Sequence, residues 1–287
     1  MDFRRSAIVL IVCFFFLDVF LFGLVWQKKV ESKTPLNSSI NVIDQMKQDG
    51  ITLPSLPSTD ETAPIIQLTP VSIGPGLNNL QNQSVTLEKN VITAELLPPI
   101  QLGLSTPINE ESFNALTNFI NNKVLFGDKY VWSSYNATTR KVIYAQKADK
   151  LSIMDGTSQI IVTLNANDQA VSYEQTYAGN VQVLGNKRSL ITAQSAVEVL
   201  FLAGKIPAKS IVSTVKLSYF QSLVLKEFSI YSPAWYVEIR QADGQLVARR
   251  VDAIHGTVLT NETLETTNTQ TQRTTPNNTT TQTVQQQ

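Results

Sequence analysis

The chain has 287 residues, room for one or two domains of ordinary size. It is 43% hydrophobic and 16% charged, with 23 Lys+Arg against 23 Asp+Glu, a balance that excludes nucleic-acid binding driven by bulk positive charge. One Cys excludes a disulfide framework and a Cys-based zinc site, and one His argues against a His-ligated metal.

The first thirty residues carry the strongest signal. Behind Arg4 and Arg5 an almost wholly apolar run occupies 7–26. About 20 such residues rise about 30 Å as a helix, enough to cross a bilayer core. A secretory signal has a shorter apolar core and a small-residue cleavage site, whereas this run closes on Gly23, Leu24, Val25 and Trp26 before Lys28 and Lys29. The expected organisation is an uncleaved single transmembrane helix within 1–29, Trp26 interfacial and the lysines snorkelling. The N-terminal flank is very short and everything that could fold follows the anchor, so we place the N-terminus in the cytoplasm and the bulk of the chain outside.

Asp18 lies inside the apolar run, where a carboxylate costs about 2.5–3.5 kcal/mol on insertion scales. It reads either as a polar contact with a partner helix or as a protonated or snorkelling side chain tolerated by a strongly apolar helix. Cys13, also within the anchor, reads as a small packing residue.

Residues 30–76 are rich in Pro, Ser and Thr and are expected to form an extended stalk. Within it, 40–48 has the pattern of a short helix that either packs on the domain or stands free. From about 77 to 260 the pattern is globular. Asn109, Glu110 and Glu111 precede an apolar stripe of Phe113, Leu116, Phe119 and Ile120, predicting a helix, followed by strands at 129–135, 141–146, 159–164 and 170–177. Thr192 is a fitting N-cap for a helix to about 202, followed by strands at 210–219, 227–231, 235–240, 245–252 and 257–259, with Pro233 breaking the third of these from the second. The expected fold is α+β, with two extracellular lobes at 77–185 and 186–260, each a helix covering an antiparallel meander. The tail 261–287 is Thr, Asn and Gln rich and lacks the apolar residues to offset ordering entropy, so it is expected to be disordered.

Motifs for chemistry are sparse. His255 beside Gly256 reads as a turn residue, since a general base there would need a nucleophile and no G-x-S-x-G is present. Glu110 and Glu111 suit the first turn of a helix, whose dipole favours acids. The residues therefore assign no catalytic, cofactor or metal site. Trp235 and Tyr236 sit on opposite faces of a predicted strand; Trp235 is a core anchor or, with Tyr236, part of an exposed aromatic patch for a protein partner.

The opening Met1-Asp2-Phe3-Arg4-Arg5, the single anchor with a polar residue before Val19-Phe20-Leu21-Phe22, and the late segments 232–237 and 251–256 resemble the YycI family. That resemblance implies a non-enzymatic, membrane-anchored accessory regulator of an essential WalK-type sensor histidine kinase in low-GC Gram-positive bacteria. It implies action with a YycH-like companion and contact with the kinase through membrane helices. The polar anchor position is usually Asn in that family, and Asp18 departs from it. Partner-contact candidates are Asp18, Phe22, Trp235 and Tyr236. The alternative function is a membrane-anchored, cell-wall-directed binding or inhibitory module.

Overall fold

Alternating apolar and polar residues in 141–148 and 159–175, and again in 62–69 and 229–252, give each strand one face to bury and one to expose. In the computed structural model, which describes residues 14–18, 39–57, 61–77, 80–104 and 106–259, these segments build two antiparallel sheets. The strands, in chain order, are β1 Thr62–Thr69, β2 Gln83–Glu88, β3 Val91–Gln101, β4 Tyr130–Asn136, β5 Lys141–Ala148, β6 Leu151–Ser152, β7 Gln159–Leu164, β8 Gln169–Gln175, β9 Asn180–Ser189, β10 Ile211–Val224, β11 Ser229–Arg240, β12 Leu246–Asp252 and β13 Val258–Leu259. The first sheet runs β2-β3-β8-β7-β5-β4 with β6 on β5, and the second runs β13-β12-β11-β1-β9 with β10 on β11.

Each sheet has its helix. Asn109 caps the 3-10 turn Glu110–Phe113 through reciprocal bonds with Ser112, and that turn leads into α2, Asn114–Lys123. Leu116 and Ile120 of α2 and Phe113 enter a core with Val142, Tyr144 and Tyr173 of the first sheet. Thr192 accepts from the Ser195 amide at the start of α3, Ala193–Leu202, which packs its Ala196, Val197 and Leu200 face toward β10, β11 and β12. The mixed helix and antiparallel-sheet class is as expected.

An earlier helix, α1, spans Ser39–Gln48. Its end is a Schellman turn: Gly50, at φ 72°, donates to the Lys47 carbonyl at 3.0 Å and Ile51 to that of Met46 at 2.9 Å, with Met46 and Ile51 buried. Thr52 then bonds to Ser210 and Val212 at the head of β10. The chain from Met46 to Ile51 is thus seated on the two-sheet domain.

Three sequence expectations change. Residues 62–69, expected as stalk, are β1, paired with β9 on one edge and β11 on the other. Pro64 is accommodated because the β1–β9 register slips between Ala63 and Ile65, a bulge where a missing N–H costs no ladder bond. Residues 180–189, placed across the two expected lobes, are β9 and belong wholly to the second sheet. Finally, β11 runs unbroken through Pro233, which lies where the partner on one edge changes from β1 at Tyr231 to β12 at Ala234.

Most of the expected anchor at 7–26, including Phe22, lies outside the described residues; 14–18 are helical. Among the described residues no helix is long and apolar enough to cross a membrane. The expected tail 261–287 also lies outside them.

The chain crosses between sheets at 176–179. Gln146 and Ser158, both buried and bonded to each other, hold that crossing: the Ala178 amide donates to Gln146 Oε1 at 3.1 Å, and Gln146 Nε2 donates to the Gly179 carbonyl at 3.0 Å. Gly179 has φ 113°, and a Cβ there would stand 2.0 Å from the Thr69 carbonyl oxygen. Only glycine satisfies both constraints. Gly179→Ala is expected to cost at least ~2 kcal/mol in urea unfolding, against about 1 kcal/mol for Gly185→Ala, where φ is also positive and the space is open. Equal losses at the two sites would contradict the close-approach argument.

Candidate functional site

The two sheets meet along residues 153–157, the link between β6 and β7. Asp155 and Gly156, the latter at φ 90°, turn this link into a compact projection. Ile153 forms a parallel bridge with Tyr219, and the Met154 amide donates to the Tyr219 carbonyl at 3.2 Å. Asp155 Oδ1 accepts from the Thr157 amide and hydroxyl at 2.9 and 2.6 Å, while Oδ2 accepts from the Gln221 amide of β10 at 2.6 Å. The Thr157 and Tyr231 hydroxyls lie 3.0 Å apart. Around them Ile66, Leu68, Ala148, Ile153, Tyr219 and Tyr231 form a small core shared by both sheets.

From β12, Arg250 completes the seam. Its Nε and Nη2 donate to the Met154 carbonyl at 3.0 and 2.7 Å, and its guanidinium lies 5.7 Å from the ring centre of Tyr236, the neighbouring residue across the ladder. That is within cation–π range. Burial lowers the Arg250 pKa, opposed by the negative charge of Asp155. Burial pushes the Tyr236 hydroxyl up to about 12, reinforced by Glu238 and opposed by Arg250.

Beside the seam lies a cleft of about 390 Å³. One wall is β4 with Ile143 of β5; the other is the face of the second sheet turned away from α3. Aromatic side chains of Trp132, Tyr135 and Tyr236 line it together with the charges of Lys216, Glu238 and Arg240. Lys216, Tyr236 and Arg250 are cross-strand neighbours in one row, Thr214 and Glu238 in the next. Glu238 accepts from the Ser213 hydroxyl at 2.7 Å. The arrangement can bind a polar, partly aromatic-compatible ligand.

The sequence candidates separate. Tyr236 lines the cleft. Trp235, on the opposite face as alternation required, is 1% exposed and its indole N–H donates to the Ile191 carbonyl at 2.8 Å, tying the approach to α3 onto the sheet. Its burial among core residues corrects its reading as a partner contact: it is the core anchor. Asp18 is exposed on the described helical stretch 14–18, and Phe22 lies outside the described residues. His255 is an exposed turn residue; the Asp252 carboxylate that meets its Nδ1 at 2.9 Å also accepts the amides of Ile254 and His255, so it holds a turn. Sequence reasoning missed Arg250, Trp132, Lys216 and the bond of Asp155 to the Gln221 amide. The available signal was a charged side chain on the inward face of a strand, Leu-Val-Ala-Arg-Arg-Val-Asp at 246–252.

Two outcomes follow from the seam. Arg250→Met is expected to lose about 2–3 kcal/mol in urea unfolding by removing two charge-assisted bonds, and Arg250→Lys to recover only part, because an ammonium lacks the planar fork; full recovery would contradict the bidentate role. Tyr144 and Tyr236 are both pushed up to about 12 by burial, so the folded state holds these protons more tightly than the unfolded chain. Their contribution is complete below about pH 10 and is lost as pH rises through about 12. Urea unfolding measured across that window should show falling stability, with a shallower fall in Tyr236→Phe.

Comparison with solved structures finds a crystal structure of an uncharacterized protein from Eubacterium rectale ATCC 33656 at 1.45 Å resolution, at 10% identity and TM-score 0.45, covering 79% of this chain and 99% of that one. Comparison with curated proteins finds no match. The family model described as "YycI protein" matches residues 30–254, well over half of the chain. The chain therefore belongs to the YycI family, which suggests an accessory role in a WalK/WalR-type two-component system.

Proposed function

We propose that this chain is a membrane-anchored accessory protein that regulates an essential WalK-type sensor histidine kinase through transmembrane-helix contacts, together with a YycH-like partner. The N-terminus is cytoplasmic and the two-sheet domain is extracellular. The observation that carries the reading is the family match over 30–254 directly behind an apolar run at 7–26 of bilayer-spanning length. An accessory helix shifts a kinase between two signalling states only by binding one state better than the other. Asp18 supplies a differential contact of that kind: a carboxyl group in hydrocarbon gains most where a partner helix offers a hydroxyl, an amide or a basic group, and Phe22, four positions on in the sequence, is the neighbouring candidate. The outer domain docks the YycH-like partner or receives the signal.

A second reading, a wall-directed binding or inhibitory module on a membrane anchor, draws on the aromatic and charged cleft. It requires the outer domain alone and is indifferent to the chemistry of the anchor.

Asp18→Leu, expressed from the native locus, separates them. The expected result is a several-fold change in phosphorylated response regulator at an unchanged membrane level of the protein, with Asp18→Asn close to the parent because it keeps the hydrogen-bonding capacity. Unchanged output and unchanged kinase association in Asp18→Leu would contradict the role of Asp18.

A further inference from the structure

The cleft has a feature that neither its volume nor its charge describes. Five consecutive residues of β4, Trp132 through Asn136, line it. Consecutive side chains of a strand point to opposite faces, so a cavity touching all five lies against the strand's edge as well as a face. β4 is the terminal strand of the first sheet, and its outer edge pairs with no other strand among the described residues. The register slips between Trp132 and Ser134, a bulge in the segment that borders the cavity. The Trp132 indole nitrogen is buried there without a hydrogen-bond partner, an uncommon state for a group that nearly always finds one. Across the cavity stand the exposed cations Lys216 and Arg240, neither in an ion pair among the described residues, with Glu238 between them bonded to Ser213.

We propose that the cleft is a binding site for an extended acidic peptide segment of a protein partner, which adds as a strand to the free edge of β4. The peptide's backbone pairs with β4, one of its carbonyls accepts from the Trp132 indole N–H, and its carboxylates meet Lys216 and Arg240. Strand addition suits this site because an edge offers a row of amide donors and acceptors that alternate outward, and a peptide backbone is the ligand whose spacing matches it. A glycan would use the aromatic rings but leave that row unpaired. The inference does not depend on how the anchor acts, since every residue it invokes lies in the outer domain.

The test uses the full chain in detergent micelles and a phage-displayed library of random ten-residue peptides. The expected outcome is enrichment of acidic sequences. By fluorescence anisotropy, an enriched peptide should bind at least about tenfold more weakly to the Lys216→Glu/Arg240→Glu double variant, more so at low salt, and about fivefold more weakly to Trp132→Phe. Both charge reversals are at exposed side chains, so the fold is retained and the far-ultraviolet circular dichroism should match the parent. N-methylation of alternate amides in the peptide should abolish binding in one of the two phases, because only one set of N–H groups faces β4. Enrichment of neutral or basic peptides, no enrichment, or indifference to the charge reversals would overturn the proposal. So would saturable binding of N-acetylglucosamine tetramer that competes at the cleft, which would assign it to a saccharide. Peptide binding that appears only after removal of residues beyond Leu259 would show that the chain's own C-terminal segment is the occupant, and would overturn the partner-peptide assignment.

Discussion

Residues 153–157 are the constraint on which the two-sheet domain depends. Two sheets with separate helices would ordinarily be two lobes on a hinge, and the two chain crossings, from β1 to β2 and at 176–179, would by themselves leave them free to swing. The short projection from the first sheet removes that freedom. Its backbone continues the edge of β10 at Tyr219, its Asp155 carboxylate accepts an amide of the second sheet, and its Met154 carbonyl is held by both donors on one side of the Arg250 guanidinium. Taking a guanidinium partly out of water is costly, and burial lowers the Arg250 pKa. The cost is offset by the two hydrogen bonds, the attraction of Asp155 and the face of Tyr236. A Lys or a neutral amide could not satisfy all three at once.

This seam also shapes what the domain can present. With the sheets fixed along 153–157, the edge of β4 and the outer face of β10–β12 stand opposite one another, and the cleft between them has walls that do not depend on a ligand. The buried Met46 and Ile51, and the bonds from Thr52 to the start of β10, extend that fixed body back to residue 46.

Much of this was legible in the sequence, and the failures have physical causes. Turn chemistry agrees with the fold: Asp168, Gly156 and Gly244, in Asn-Asp and Asp-Gly pairs, all occupy positive φ. Caps located both covering helices, because Asn109 and Thr192 act through local bonds that need no tertiary context. Prolines misled the reading of strands. Pro64 and Pro233 sit inside β1 and β11, one at a bulge and one where the neighbouring strand changes, and single-sequence reasoning has no access to a partner's register. The site was less legible still. Trp235 draws attention because it is large, yet its work is to fix α3 to the sheet, while Arg250, unremarked among ordinary charges, joins two segments 96 residues apart. Inter-sheet contacts of that separation leave no periodic trace. The family resemblance was legible nonetheless, and the match over 30–254 takes in the 232–237 segment and most of 251–256.

The central claim is that this domain acts on a kinase through the helix that anchors it. The most direct measurement is crosslinking followed by co-purification from membranes of the native bacterium, comparing the intact chain with one whose residues 7–26 are replaced by a plain Leu helix. The account predicts that the intact chain recovers a sensor histidine kinase and a YycH-like protein, and that the replaced chain loses the kinase. Recovery of the kinase at equal yield by both chains would contradict helix-borne regulation, and recovery of neither partner by the intact chain would contradict the accessory role itself.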